Sequence, residues 1–381
     1  MVHKVCVVTG SRADYGLMVR IMRHLASRDL LQLLVTGSHL EGAARTEVEI
    51  VADGFNIDLR VPLPPTGRTN LETAAAVGSG VADLANALST LDPKIVLILG
   101  DRFEAFAAAQ AAFFLNIPIA HLHGGEITVG SLDDSIRHAI SKLARWHFVA
   151  HNDAKCRLIR MGEAPESVFV TGAPGLDDVR ILRPLSKETL ASDLGWDAHA
   201  PFLLTTYHPV TNNPEETNNG AGALLSVLSE QTCRIIITGA NVDAGGAALN
   251  QLFSEFAGRN PGHVRIKSSL GRHRYLSAIS HSLAVVGNSS SGIVEAPFLG
   301  IPTVNIGSRQ YGRPAAASII TCGTSVEHIR DAILQATSHE FQYFARGVET
   351  FYGDGNSSKR ICDQLSSLMG MTIGAKHFYD A

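Results

Sequence analysis

The sequence predicts an α/β fold built from two doubly wound parallel sheets. Short apolar, β-branched runs recur along the chain, and each closes on a glycine or a polar residue, as strands buried on both faces do. Longer stretches with apolar residues at helical spacing separate them, so strands and helices alternate. After Gly172 the composition turns polar and proline-containing until about Pro201, and then the alternation starts again. The domain boundary falls there: residues 1–175 form the first domain, 176–356 the second, and 357–381 a C-terminal helix and tail.

Taken in order, Val5 to Val8 is a buried first strand, followed by the loop Gly10-Ser11-Arg12-Ala13-Asp14-Tyr15-Gly16 and a helix to about Leu25. Leu31 to Thr36 is a second strand, ending in Gly37-Ser38-His39. Arg60 to Thr69 holds three prolines and reads as a loop. Leu71 to Leu91 is an alanine-rich, packed helix, Ile95 to Leu99 a strand ending in Gly100-Asp101-Arg102, and Glu104 to Phe114 a helix. Ile117 to Ala120 and Trp146 to Ala150 read as the next strands. In the second half, Phe202 to Thr206, Ile235 to Thr238, Leu283 to Val286 and Thr303 to Ile306 repeat the pattern, and Ser357 to Met369 is helical.

Composition narrows the class. The chain has 381 residues, 45% apolar and 18% charged, which suffices for two domains or one large one. A net charge of −4 supplies no basic field for nucleic acid or an anionic membrane. Five scattered cysteines without a CxxC argue for a reducing compartment and against a disulfide frame or zinc site. No apolar run approaches about 18 residues, and the N-terminus is too short in its apolar part for a signal peptide. A cytoplasmic protein is expected.

The densest chemistry lies from His121 to Lys142, HLHGGEITVGSLDDSIRHAISK. Ile136, Ile140 and Leu143 make the stretch helical from Asp134, so Asp133 and Asp134 sit at a helix N-terminus, where the dipole favours negative charge. Asp133 with Arg137, and Asp134 with His138, are spaced to pair on one face. An N-cap with ordinary helix pairs explains those residues, but not the His-x-His-Gly-Gly-Glu at the strand end. Titratable residues clustered at a strand end point to a site.

Ligands of open α/β sheets collect beyond the carboxyl ends of strands. Those ends carry Ser11-Arg12, His39, Asp101-Arg102 and the His121 stretch in the first half. In the second they carry Tyr207-His208-Pro209, Asn241, Gly287-Asn288-Ser289-Ser290-Ser291-Gly292 and Arg309. A cleft between two domains is the natural inference. The Gly287–Gly292 run precedes a helix start at Ile293-Val294-Glu295-Ala296 and reads as a phosphate site in preference to a tight turn with a serine N-cap. It has neither the Walker ending nor a GxGxxG spacing. Glu295 suits a ribose diol or only the helix dipole, Arg309 the same phosphates or bare solvent, and His208 a ligand or the core. The His121–His123 pair with Glu126 is a weak metal pattern, and no metal is expected. No Gly-x-Ser-x-Gly elbow supports a serine hydrolase.

In their order along the chain, these motifs resemble those of the hydrolysing UDP-N-acetylglucosamine 2-epimerases of sialic acid biosynthesis. Enzymes acting on UDP-N,N′-diacetylbacillosamine for legionaminic acid belong to the same family. The motifs are Ser11-Arg12-Ala13-Asp14-Tyr15, Gly100-Asp101-Arg102-Phe103-Glu104-Ala105, His123-Gly124-Gly125-Glu126 and Asp133-Asp134-Ser135-Ile136-Arg137-His138-Ala139-Ile140. His208-Pro209-Val210-Thr211, Gly287-Asn288-Ser289-Ser290 and Gly307-Ser308-Arg309-Gln310 complete the set, which spans almost the whole chain. The resemblance implies two Rossmann-like domains facing across a cleft, the GT-B-like architecture, with the C-terminal helix returning to the first domain. It implies UDP contacts from Arg12, Arg102, His208, Asn241, Ser289, Ser290, Glu295 and Arg309, and catalytic carboxylates at Asp101 and Asp133. Much of the sialic branch has a glutamate where this chain has His123, and the His-x-His-Gly-Gly-Glu form looks more like the bacillosamine branch.

The implied reaction inverts carbon 2 with loss of UDP, by elimination to a glycal and then hydration. UDP-N-acetylglucosamine going to N-acetylmannosamine is the first expectation, and the same reaction on UDP-N,N′-diacetylbacillosamine the alternative. Elimination needs a base for the carbon-2 proton and cations for the leaving diphosphate. Asp101, His123, Asp133 and Glu126 are the candidate proton carriers, with Arg137 beside them. His123 also suits a contact to the carbon-4 substituent, or a structural bond to the Gly124–Gly125 backbone. A GT-B glycosyltransferase, a non-hydrolysing epimerase and a silent nucleotide-sugar sensor are the competing readings. A UDP sugar is the expected partner, in a homo-oligomer (dimer or tetramer) without cofactor.

Overall fold

The structure is a computed structural model that describes residues 4–42, 45–64, 70–128, 132–197, 200–210, 213–240, 245–372 and 374–380. Two compact units divide the chain. Met1–Ile127, Leu132–Asp177 and Tyr352–Ala381 make the first; Thr128–Ser131 and Asp178–Phe351 make the second.

In chain order the first unit holds β1 (Val5–Thr9), α1 (Arg12–Ala26), β2 (Leu31–Thr36), α2 (Glu47–Ala52), β3 (Leu59–Val61), α3 (Asn70–Leu91) and β4 (Ile95–Leu99). It continues with α4 (Phe103–Phe114), β5 (Ile119–Leu122), α5 (Leu132–Leu143), β6 (Trp146–Val149), α6 (Asn152–Arg160) and β7 (Val168–Val170). The seven strands are parallel, in the order β3-β2-β1-β4-β5-β6-β7. That is the Rossmann order, and it reverses between β1 and β4, where Val5 pairs with both Leu31 and Ile95. Apolar layers cover both faces, one under α1 and one under α3 and α4. This is why the central strands read as unbroken apolar runs rather than alternating ones.

The chain then forms α7 (Gly175–Arg180) and α8 (Lys187–Leu194), in the stretch expected to be an irregular boundary. The second sheet follows: β8 (Phe202–Thr206), α9 (Pro214–Ser229), β9 (Arg234–Thr238), α10 (Gly246–Arg259), β10 (Val264–Lys267), α11 (Arg272–His281) and β11 (Ala284–Gly287). It ends with α12 (Glu295–Phe298), β12 (Thr303–Ile306), β13 (Ile319–Cys322), α13 (Val326–Thr337) and α14 (His339–Ala345). The six strands are parallel in the order β10-β9-β8-β11-β12-β13. The reversal falls between β8 and β11, so the molecule has two Rossmann-like domains.

The last helix, α15 (Ser357–Met369), belongs to the first unit. Asp177 caps it, accepting from Ser357 N–H at 2.9 Å and Ser358 N–H at 2.6 Å, where helix amides lack internal partners. The helix lies on α1, with Arg28 bonded to Asp363 at 2.5 Å and to Ser366 at 3.0 Å. Beyond it, Lys376 Nζ reaches the buried Glu163 carboxylate at 2.7 Å, and Glu163 also meets Lys142 at 2.6 Å and His147 at 3.0 Å.

Three local expectations change. The strand expected at Ile117 to Ala120 runs instead over Ile119–Leu122, because Pro118 has no N–H for the ladder. His121 therefore lies inside the strand. The loop expected from Arg60 begins with the short edge strand β3, while its residues 65–69 lie outside the described residues. The helix start expected at Ile293 is a 3-10 turn, Ser290–Gly292, and then the single turn α12.

Candidate active site

Both reversal points carry polar side chains. In the first unit, β1 ends at Thr9, and Ser11 caps α1 by accepting from Asp14 N–H at 3.3 Å. Asp14 follows in the first turn, its carboxyl pushed up to about 6 by burial, against the pull of Arg102 and Ser11. Arg12 points outward, 60% exposed, and pairs with Glu49 at 2.9 Å. Arg102 stands just before α4 and grips both carboxylate oxygens of Glu104, at 3.2 and 3.0 Å. Glu104 is buried beneath Gly10 and Gly37; a Cβ on Gly37 would stand 2.7 Å from its Oε1. Asp133 is exposed in the first turn of α5 and adds to the negative field on Arg102.

Asp101, after β4, contacts the guanidinium of Arg137 directly. Arg137 comes from α5 and is only 6% exposed. It also reaches the Glu126 carbonyl at 3.0 Å and Asp134 at 3.7 Å. One buried cation thus ties a strand end, a turn and a helix together. Asp134 lies 3.6 Å from His138, as the helical spacing predicts.

The two histidines of the His-x-His segment part company. His121 is fully buried, its Nε2 2.7 Å from the Gly100 carbonyl and its Nδ1 3.1 Å from Ser141 Oγ. Burial lowers it to about 3, so it is a neutral strut that props the loop carrying Asp101. His123 takes a left-handed conformation, φ +60°, which is uncommon outside glycine. Its Nδ1 lies 2.6 Å from Glu126 Oε1, and its buried Nε2 has no hydrogen-bond partner among the described residues. The ring therefore bonds to Glu126 rather than to the Gly124–Gly125 backbone.

In the second unit, Asn288 organises the reversal point. This buried residue follows β11; its Oδ1 accepts from His208 N–H at 2.7 Å and its Nδ2 donates to the His208 carbonyl at 2.9 Å. Its own carbonyl accepts from Arg309 at 3.1 Å and from Gln310 at 2.8 Å. The strand ends after β8, β11 and β12 are joined through one residue, its side chain on His208 and its carbonyl on Arg309 and Gln310. Gly287 makes the turn at φ +140°, and a Cβ there would collide with the Thr206 carbonyl. Glu216 holds the Arg309 loop by accepting from Ser308 N–H at 2.6 Å and Ser308 Oγ at 2.8 Å. Burial, with Arg309 beside it, lowers His208 to about 4, so at neutral pH it offers hydrogen bonds rather than charge. Ser289 caps the 3-10 turn, and the Tyr275 hydroxyl sits 3.3 Å from Thr206 Oγ1. Burial raises Glu295, with Arg272 and Arg313 opposing.

The structure thus groups Asp101, Arg137, Glu126 and His123 in the first unit, and His208, Ser289, Ser290 and Arg309 around Asn288 in the second. Arg12 and Arg102 are engaged with Glu49 and Glu104. Asn241 and Thr211 lie outside the described residues. Sequence reasoning did not single out Glu104, Asn288 or Gln310, although all three stand inside quoted motifs. Tyr275, on α11, carried no signal. Among the described residues, no group of three histidine, cysteine, aspartate or glutamate side chains is placed to hold a metal ion. No described helix is long and apolar enough to cross a membrane.

The chain is similar to known proteins. A UDP-N,N′-diacetylbacillosamine 2-epimerase (hydrolyzing) from Legionella pneumophila is 37% identical over 96% of this chain and 96% of its own length. A GDP/UDP-N,N′-diacetylbacillosamine 2-epimerase (hydrolyzing) from Campylobacter jejuni is 32% identical over 89% of each chain. In fold, the chain is similar to a crystal structure of UDP-GlcNAc 2-epimerase from Neisseria meningitidis bound to UDP-GlcNAc. The TM-score is 0.80 at 21% identity, covering 96% of this chain and 100% of that one. With the family model for UDP-N-acetylglucosamine 2-epimerase matching residues 24–366, from the end of α1 into α15, the chain belongs to that epimerase family.

Proposed function

We propose that this protein is a hydrolysing 2-epimerase of a UDP-linked acetamido sugar, with UDP-N,N′-diacetylbacillosamine as its substrate. The observation that supports the reading is the linked set Asp101, Arg137, Glu126 and His123, two of which, Asp101 and His123, stand at neighbouring strand ends. The similarity to the Legionella and Campylobacter enzymes, and the histidine at position 123, favour the diacetamido sugar. UDP-N-acetylglucosamine, giving N-acetylmannosamine, is the second reading, supported by the family model.

The reaction balances as elimination followed by hydration. A base takes the carbon-2 proton, the electron pair of that bond forms the carbon 1–carbon 2 double bond, and the carbon 1–oxygen bond breaks with its pair going to UDP. Water then supplies hydroxide to carbon 1, and a proton returns to carbon 2 on the other face. His123 and Asp101 carry the carbon-2 protons, and Asp133 serves the water. Arg309, Ser289, Ser290 and the neutral His208 receive the diphosphate, while Glu295 accepts from the ribose hydroxyls. Arg12, Arg102 and Asn241 complete the UDP set.

Incubation with each UDP sugar alone, followed by proton NMR, tests the reading. Free carbon-2-inverted sugar plus UDP is expected, faster from the diacetamido sugar. A product that keeps its UDP marks a non-hydrolysing epimerase, and turnover only with an added acceptor marks a transferase.

A further inference from the structure

Glu126 is one of the carboxylates that residue type alone offers as a proton carrier. The geometry points to a different role: we infer that Glu126 is a positioning residue, which fixes the tautomer of His123 so that Nε2 presents its lone pair to carbon 2 of the sugar. This rests on the proposed role of His123 as a proton carrier.

The backbone leaves the ring little choice. His123 N–H donates to the Phe148 carbonyl at 3.0 Å, which registers the residue on β6 while its φ of +60° turns the side chain out of the strand. Strain of that kind persists only where neighbours over-determine it. Here Gly125 follows at φ +73°, where a Cβ would lie 2.6 Å from the Ala154 carbonyl, and Arg157 bonds the Gly125 carbonyl. Arg137 holds the Glu126 carbonyl at 3.0 Å. The turn is therefore clamped from α5 and α6 together.

The ring's two nitrogens have unlike surroundings. Nδ1 is 2.6 Å from Glu126 Oε1, and an ionised carboxylate only accepts, so the single proton of a neutral imidazole resides on Nδ1. Nε2 is then an acceptor, and it is the nitrogen that is buried without a partner among the described residues. A buried polar atom left in that state in an otherwise satisfied turn calls for a group that arrives with the substrate. When Nε2 takes the carbon-2 proton, the imidazolium forms against a carboxylate already in contact, as in other histidine–carboxylate pairs. Glu126 keeps its own charge throughout and exchanges no proton with the sugar. His121 and His151 also interact electrostatically with the ring, with the Asp101–Arg137 pair on the other side of Glu126.

The test combines nitrogen-15 NMR of histidine-labelled protein with kinetics on Glu126→Gln, Glu126→Ala and Glu126→Asp, using UDP as the binding probe. In wild type, the resonances assigned through His123→Gln should show protonated Nδ1 and bare Nε2. Glu126→Gln and Glu126→Ala should lose or mix that tautomer and drop kcat about 100-fold. KM and UDP affinity should stay within about threefold, and Glu126→Asp should recover part of the rate. A wild-type His123 protonated at Nε2 overturns the inference. So does normal turnover in Glu126→Ala, or a Glu126→Gln defect that persists when His123→Gln keeps its turnover. If wild type releases no sugar from any UDP sugar, the proposed function fails, and the tautomer measurement still decides the pairing.

Discussion

The two sheets reverse at the same topological point and put opposite chemistry there. Beyond β1, β4 and β5 the first unit gathers charge: Asp101 against Arg137, Arg102 against Glu104, His123 against Glu126. Beyond β8, β11 and β12 the second unit gathers neutral groups around one cation, with Asn288 binding His208, Arg309 and Gln310 into one layer. A proton carrier has to pass between charged and neutral forms, so it needs counter-charges fixed in advance. An oxyanion cradle needs donors that do not repel one another, and one strong cation suffices. Fold alone dictates neither; on the proposed function, two copies of one topology divide the work through the residues at their strand ends.

The largest effect should separate the units by what is lost. On the proposed function, Asp101→Asn removes a proton carrier, and it weakens the ion pair with Arg137. Turnover is expected to fall roughly 10²–10⁴-fold with UDP affinity nearly unchanged, and Asp133→Asn should behave alike. Steady-state rates beside calorimetry of UDP binding check this; near-normal turnover in either variant removes that residue from the chemistry.

Next come the turns themselves. Gly287→Ala forces a side chain into φ +140° and into the Thr206 carbonyl, at a cost of about 2–5 kcal/mol. The chain has two tryptophans, Trp146 in the first unit and Trp196 in the second, so single-tryptophan variants report each unit separately. Gly287→Ala should shift the denaturant midpoint seen by Trp196, and Gly125→Ala the one seen by Trp146. Equal shifts at both reporters would mean that the units do not unfold separately.

Arg309→Ala tests the cradle. Gln310 still satisfies the Asn288 carbonyl in that variant, so the loss reads the missing cation. A charged hydrogen bond contributes about 1.5–3 kcal/mol, so UDP should bind roughly 10- to 150-fold more weakly. Ser290→Ala should cost about 1 kcal/mol, near fivefold. Unchanged affinity in both would place the nucleotide elsewhere.

How much of this was legible follows from where each residue sits. The central strands show as apolar runs because both faces are covered. The strands missed by sequence reasoning include β3, β7, β10 and β13, all four sheet edges, which are short and partly exposed and so carry no unbroken run. Asp101, His123 and Arg309 were visible because each follows such a run or motif. The division of His121 from His123 was not, since it depends on Pro118 delaying the strand and on a left-handed turn that residue type does not announce. Asn288 was hidden for another reason: an asparagine joining three strand ends looks, in one dimension, like any turn residue.

The smallest effect comes from buried histidines, and acid should find the difference between the units. In the first unit, burial lowers His39 to about 4 and His121 to about 3, and His138, His147 and His151 are also lowered. A histidine whose folded value lies below its unfolded one, about 6.5, contributes stability that is present above pH 6.5 and lost as pH falls toward the folded value. Asp14, raised to about 6, does the reverse: its contribution is full below the ordinary carboxyl range and lost as pH rises through 6. One such gain does not offset five losses. In the second unit the lowered His208 and the raised Glu295 act in opposite directions. Between pH 6.5 and 5 the Trp146 reporter should therefore lose stability before Trp196 does. His121 alone accounts for about 1 kcal/mol at pH 6. His121→Gln keeps a donor for the Gly100 carbonyl but cannot titrate, so it should flatten the Trp146 acid limb by that amount and leave Trp196 unmoved. Coincident acid limbs for the two reporters, unaltered by His121→Gln, would mean that charge burial does not distinguish the units.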